Sequence, residues 1–339
     1  MPLTRRRLLQ AGTGLALTLG PASQLHAIER RYFRIASGTT GGVYYPLARL
    51  IAAAISNPAG VANCQVGALC GIPGLIAVAQ TSTGSLDNLQ QLAEGDVDSA
   101  FCQADVAARA FTIGLAETDQ APFTGLRVLS HLYDEVLQVV VRLGAGIRSI
   151  ADLAGRRISL GPVGSGSRAD AEHLLALAGL SGDAVERFNL PPVQAAAALR
   201  EGELDGFFTT SGVPANAISS LADEGLIDLL PIEGSLAEAL MASRSGLRMT
   251  DIVPGTYHRV ELTPSLATAA LWVTTEGLPE DLAFALTQTL WDPASLAFYA
   301  SSGLATARDL EPARALDGIG TPPLHKGAGA FYRQQGLLE

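Results

Sequence analysis

Two loops hold the residues best suited to chemistry: Ser37-Gly-Thr-Thr-Gly-Gly42 and Pro162-Val-Gly-Ser-Gly-Ser167. Each is rich in hydroxyls and poor in side-chain bulk, and each leads into apolar residues at helical spacing. The first amides of a helix lack intrahelical partners and sit at the positive end of its macrodipole. A loop of this kind therefore suits an anion or a polar ligand group. The candidate contacts are Thr39, Thr40, Gly41 and Gly42 in the first loop, and Gly164, Ser165, Gly166 and Ser167 in the second. Tyr44 follows in the first helical turn. Arg168 opens the second helix, where the macrodipole disfavours a cation by roughly 0.3–1 kcal/mol when exposed. It either pairs with Asp170 or Glu172 or meets a ligand carboxylate bidentately.

The elements that position these loops repeat. Residues 32–36 read as a strand, and after the loop Val43, Leu47, Leu50, Ile51, Ala54 and Ile55 mark a helix, with Pro46 tolerated in its first turn. Downstream, a strand at 157–161 leads through the second loop to a helix at 169–178 that ends at Gly179. Each unit has a second echo, since Glu94-Gly-Asp-Val-Asp-Ser-Ala-Phe101 matches Glu201-Gly-Glu-Leu-Asp-Gly-Phe-Phe208. The strands that follow deliver Gln103 and Asp105 in one case and Thr210, Ser211 and Gly212 in the other. Between them, Ser85 reads as a helix N-cap with Asn88 one turn on. Alternating strands and helices imply an α/β fold with mainly parallel sheets, which bind ligands at the carboxyl ends of their strands. Apolar strands at 126–132 and 136–142 precede the second unit and one at 265–274 follows it. The chain thus predicts two α/β lobes joined by a two-stranded hinge, rather than one continuous sheet. Lobe 1 spans 28–138 and 262–339, lobe 2 spans 139–261, and a helix at 279–291 packs back on lobe 1.

Composition excludes several classes. The 339 residues are 48% hydrophobic and only 17% charged, which rules out a disordered chain. The formal charge is −10, Lys326 is the only lysine, and no basic stripe offers itself to nucleic acid. Five scattered histidines, with no HExxH or CxxC, give no metal site, and nothing calls for a cofactor. Residues 1–27 carry Thr4-Arg5-Arg6-Arg7-Leu8-Leu9-Gln10, a mild apolar stretch and Leu25-His26-Ala27, the pattern of a twin-arginine export signal. Its removal takes three arginines and no acid, so −10 becomes −13. In an oxidising periplasm Cys64 and Cys70, in a Gly/Pro-rich stretch, favour a short disulfide loop over two free thiols. Cys102, in an apolar run, reads as a buried core residue. No Gly-x-Ser-x-Gly elbow is present and no histidine stands near Ser165 or Ser211 in sequence, so an enzyme on this frame is disfavoured.

Seven ordered blocks resemble the TAXI family (TRAP-associated extracytoplasmic immunogenic) of solute-binding proteins. They are Ile35-Ala-Ser-Gly-Thr-Thr-Gly-Gly-Val-Tyr-Tyr-Pro46, Gly84-Ser85-Leu-Asp-Asn88, Gln103-Ala-Asp105, Gly164-Ser-Gly-Ser167, Thr210-Ser-Gly-Val-Pro214, Ile252-Val-Pro-Gly-Thr-Tyr257, and Pro323-Leu-His-Lys-Gly-Ala328 with Phe331-Tyr332. Ser167 departs from the family's usual threonine but keeps the hydroxyl. The resemblance implies a type II periplasmic-binding-protein fold that closes on a small carboxylate, such as glutamate or a related organic acid. It also adds Tyr257 to the candidate site, and a TRAP-type membrane permease as the partner of a monomeric receptor. A sensory receptor signalling to a membrane kinase would use the same cleft.

Overall fold

The computed structural model describes residues 30–58, 68–115 and 121–339; the segment expected to direct export and Cys64 lie outside them. The first unit runs β1 (Arg31–Ala36), α1 (Tyr44–Ile55), β2 (Ser56–Asn57), β3 (Ile72–Pro73), β4 (Leu75–Gln80), α2 (Ser85–Glu94), β5 (Ser99–Gln103) and α3 (Ala104–Ile113). The long β6 (Leu126–Arg142) leads out of it. The second unit is β7 (Arg157–Ser159), α4 (Gly166–Leu177), β8 (Glu186–Phe188), α5 (Pro192–Arg200), β9 (Gly206–Ser211), α6 (Asn216–Asp223), β10 (Ile227–Leu230), α7 (Gly234–Ser243) and β11 (Arg248–Ile252). Then β12 (Thr263–Thr275) returns, followed by α8 (Glu280–Leu290), α9 (Pro293–Ser301), α10 (Ala305–Arg308) and α11 (Lys326–Gln334).

The strand order β4-β1-β5-β12-β6-β9-β7-β8 is hydrogen-bonded throughout. Two parallel sets, β4-β1-β5 and β9-β7-β8, are therefore linked by the antiparallel pair β6 and β12. The two-stranded hinge joins the lobes as expected, but its pairing makes their strands one continuous sheet, where the sequence predicts separate ones. Strand alternation places neighbouring side chains in different cores. Trp272 packs with Phe33, Leu47, Ile51 and Tyr332, while Leu271 and Val273 pack with Leu89, Val97 and Val106. In the second lobe Phe208 joins Ile158, Leu174 and Leu175, while Phe207 joins Val140, Leu199 and Ile218.

The sequence echo is a structural repeat. Gly95 and Gly202 both follow helices with positive φ (80° and 76°), and β5 and β9 follow them. Asp98 then accepts from the Arg34 backbone and Nε at 2.7 and 3.1 Å, and Asp205 does the same for Arg157 at 3.0 and 3.2 Å. Each lobe thus ties its central strand to the next with the same charge-assisted clamp.

Three elements differ from the sequence reading. The strands expected at 126–132 and 136–142 are one 17-residue strand. The polar step at Asp134-Glu135 is a change of face: Asp134 turns outward to Arg248, Arg314 and His131, while Glu135 turns inward and is 3% exposed. The helix expected at 169–178 begins at Gly166, because Ser165 caps it by accepting the Arg168 amide at 3.1 Å. Ser85 is not a cap but the first residue of α2, after Gly84.

Candidate functional site

The two loop–helix units face each other across the hinge. Leu86 and Asp87 donate their amides to the Gly164 carbonyl at 3.1 Å each, so the other lobe satisfies two open amides of the α2 N-terminus. Gln103 Nε2 donates to Asp170 Oδ2 at 2.9 Å, also between lobes. Asp170 further accepts from Thr210 Oγ1 at 2.6 Å and pairs with Arg244, which also pairs with Asp105. The Asp105 carboxyl is pushed up to about 6, chiefly by burial and further by Asp170, against the pull of Arg244 and the Thr268 hydroxyl. One guanidinium thus holds two buried carboxylates, one from each lobe.

Beside these contacts, between the lobes, lies a cavity of about 80 Å³. The first lobe lines it with Thr39, Gly42, Tyr44, Thr83, Ser85 and Gln103, and the second with Ser165, Gly166, Ser167, Thr209, Thr210 and Ser211. Glu135, from the hinge, is the one acidic residue of the lining, and no lysine or arginine lines it. Donors to a ligand anion must therefore be hydroxyls and the free amides at the starts of α1 and α4. Tyr44 stands edge-on to Phe101 at 5.7 Å and donates to Glu135 Oε2 at 2.7 Å; Tyr133 approaches Oε1 at 3.5 Å. Burial pushes the Glu135 carboxyl up to about 8 against the pull of the Tyr44 hydroxyl.

Other sequence candidates stand elsewhere. Asn88 lies outside the lining, and its Nδ2 donates to the Ser37 and Phe101 carbonyls at 2.6 and 2.7 Å. Tyr257 donates to Gln138 at 2.6 Å and accepts from the Ala215 amide, in the core of the second lobe. Asp105 lies behind the lining in its pair with Arg244, and Gly164 serves through its carbonyl. Gly41 borders a neighbouring cavity, Gly212 packs against Tyr133 and Thr306, and Thr40 lines neither cavity. Arg168 turns away from the small cavity to Glu172, at 2.9 Å, and to Asn189. It lines a second inter-lobe space of about 380 Å³ with Arg109, His173 and Arg244. Of the two roles the sequence leaves open for Arg168, the ion pair is the one present: the i,i+4 acid Glu172 takes the guanidinium.

Glu135, Asp170 and Arg244 were missed. Glu135 is a lone acid inside an apolar strand, and only the register of β6, opposite Thr268 of β12, shows that it faces the cleft. Arg244 lies 74 residues from Asp170 and carries no local signal.

Paired α/β lobes, two crossing strands and a cavity between facing helix starts define the bilobal fold of periplasmic solute-binding proteins, the type II arrangement. The chain belongs to the NMT1-like family, which it matches over residues 35–336. A solved protein from Bordetella bronchiseptica RB50 superposes with a TM-score of 0.51 at 16% identity, covering 90% of this chain and 98% of that one. The alkanesulfonate-binding protein SsuA from Xanthomonas axonopodis pv. citri, bound to MOPS, is similar at 17% identity and TM-score 0.44, covering 92% and 95%. An ancestral arginine-binding protein bound to arginine is similar at 14% identity and TM-score 0.47, covering 81% and 99%.

Proposed function

We propose that this chain is an exported periplasmic receptor of the TAXI type that captures a small carboxylate by lobe closure and delivers it to a TRAP-type permease. The observation that carries this reading is the convergence of Thr39 and Gly42 from one lobe with Ser165, Gly166 and Ser167 from the other on one small cavity. A ligand there touches both lobes, so it favours the closed arrangement by its differential contacts. In this reading the receptor is a monomer without a cofactor, its lobes divide at 138/139 and 261/262, and Cys64 bridges to Cys70. Binding without turnover fits the lining: it offers hydroxyls but no histidine to activate one.

The test is a thermal-shift screen of the mature protein against amino acids and small organic acids, followed by scattering with any hit. A carboxylate that raises the melting point and compacts the protein supports the reading. A hit that is consumed, or one that binds while the lobes stay apart, refutes it.

A further inference from the structure

The proposed receptor leaves one group of its cavity unexplained: an acid at the point where a carboxylate is to be held. Glu135 sits at the crossing of β6 and β12, opposite Thr268, and is 3% exposed. Its carboxyl lines the cavity with the hydroxyls of Tyr44 and Tyr133 beside it. Those two donors leave it spare acceptor capacity, since a carboxylate offers about four lone-pair sites. Buried acids are ordinarily paired with a cation, as Asp105 and Asp170 are with Arg244. Glu135 has no cationic partner in the lining.

Resting on the receptor reading, we infer that Glu135 is the counter-group for an ammonium of the ligand, so that the cleft selects zwitterionic amino acids over simple carboxylates and dicarboxylates. The ligand's carboxylate takes the amides and hydroxyls at the starts of α1 and α4, and its ammonium takes the acid on the hinge. A second carboxylate beside Glu135 would find no lysine or arginine in the lining to hold it, and could be held there only by sharing the proton of that acid. A zwitterion also removes a conflict of charge. A chain at −10 repels an anion at long range, whereas a ligand of zero net charge feels no such barrier.

The arrangement carries a proton signature. The groups facing Glu135 are Tyr44 from α1, Tyr133 from its own strand, Cys102 from β5, Asp105 from α3 and Asp170 from α4, the last two held by Arg244. None of them supplies a free positive charge, and burial holds the carboxyl protonated up to about pH 8. When an ammonium arrives, the carboxyl ionises, its proton passes to solvent, and the ammonium keeps its own. Binding at pH 7 therefore releases close to one proton, and affinity rises about tenfold per pH unit up to pH 8 and then levels.

The experiment is titration calorimetry of the mature protein with the standard amino acids, each paired with its deaminated analogue, such as L-alanine with propanoate. Titration in phosphate and in Tris counts the protons. The expected result is a preference of about 10- to 100-fold for the amino acid, the range for a hydrogen bond to a charged group, with proton release at pH 7. Glu135→Gln should lose both. Should that variant not fold, the wild-type pair comparison and the proton count decide alone. Equal affinity for an amino acid and its analogue, with no proton released, overturns the role of Glu135 and leaves the carboxylate receptor standing. Binding of neither series overturns the receptor reading, and this inference with it.

Discussion

Replacing Gly166 by alanine adds one carbon at the tightest point between the lobes. A Cβ built there lies 1.3 Å from Gln103 Oε1, 2.5 Å from its Cδ and 3.0 Å from Ser85 Oγ. Gln103 is 2% exposed and holds Asp170 at 2.9 Å, so it cannot yield without breaking that bond. A hydrogen bond to a carboxylate contributes about 1.5–3 kcal/mol, which sets a loss of roughly 10- to 150-fold in the population of the closed form. Both obstacles come from the opposite lobe, whereas Gly166 itself stands in the first turn of α4, where alanine is acceptable. The substitution should therefore spare folding and act on closure. Calorimetry should show affinity falling by that factor, and scattering should show a more extended particle, with the unliganded melting point near wild type. Wild-type affinity with full compaction in Gly166→Ala would refute the packing of Gly166 against Gln103 and Ser85. Gly42 makes a contrast, since a Cβ there meets only Thr39 oxygens at 3.4 Å; the Gly42→Ala variant should bind nearly as wild type.

Arg244→Gln leaves Asp105 and Asp170 buried without their cation, and should cost the closed form roughly 3–5 kcal/mol, read as a lower melting point with ligand. Stability should also fall as pH rises. Glu135 and Asp105 have folded values raised to about 8 and about 6, so their stabilisation is complete below about pH 4 and is lost as pH climbs through those values. For Glu135 the span from 4.5 to about 8 corresponds to on the order of 5 kcal/mol. Denaturant titrations of Glu135→Gln between pH 5 and 9 should flatten accordingly, and an unchanged slope would contradict the burial argument. Asp205, lowered to about 2 by Arg157, loses its contribution only as pH falls below 4, outside that window. Arg168→Gln should change ligand affinity less than twofold by calorimetry, because Glu172 and Asn189 hold that side chain outside the small cavity. Peptide mapping of periplasmic protein should find Cys64 joined to Cys70, with Cys102 free.

Local pattern made much of this molecule legible. Strand, Gly/Ser/Thr loop and helix recur at 32–55 and 157–177, and the structure sets both loops on the cavity. The acidic turns at 94–101 and 201–208 proved to be the same clamp used twice. What stayed hidden depends on register and long range. Tyr133-Asp134-Glu135 reads as a break between strands, and only the hinge pairing shows that alternate residues leave for opposite faces. Asn88 and Tyr257 have the polar ends of ligand contacts, yet the Ser37 and Phe101 carbonyls take the Asn88 donors and Gln138 takes the Tyr257 hydroxyl. A residue type at a loop or strand end announces what a group can bond, not which partner folding brings to it.

In the proposed function two lobes close on one small carboxylate without converting it. Native mass spectrometry of the mature protein taken from the periplasm tests this most directly. The expected result is a one-to-one complex with a small carboxylate, an amino acid in particular, released unchanged on denaturation. A protein that carries no such ligand and takes up none from a panel of amino and organic acids, or that returns it chemically altered, would contradict it.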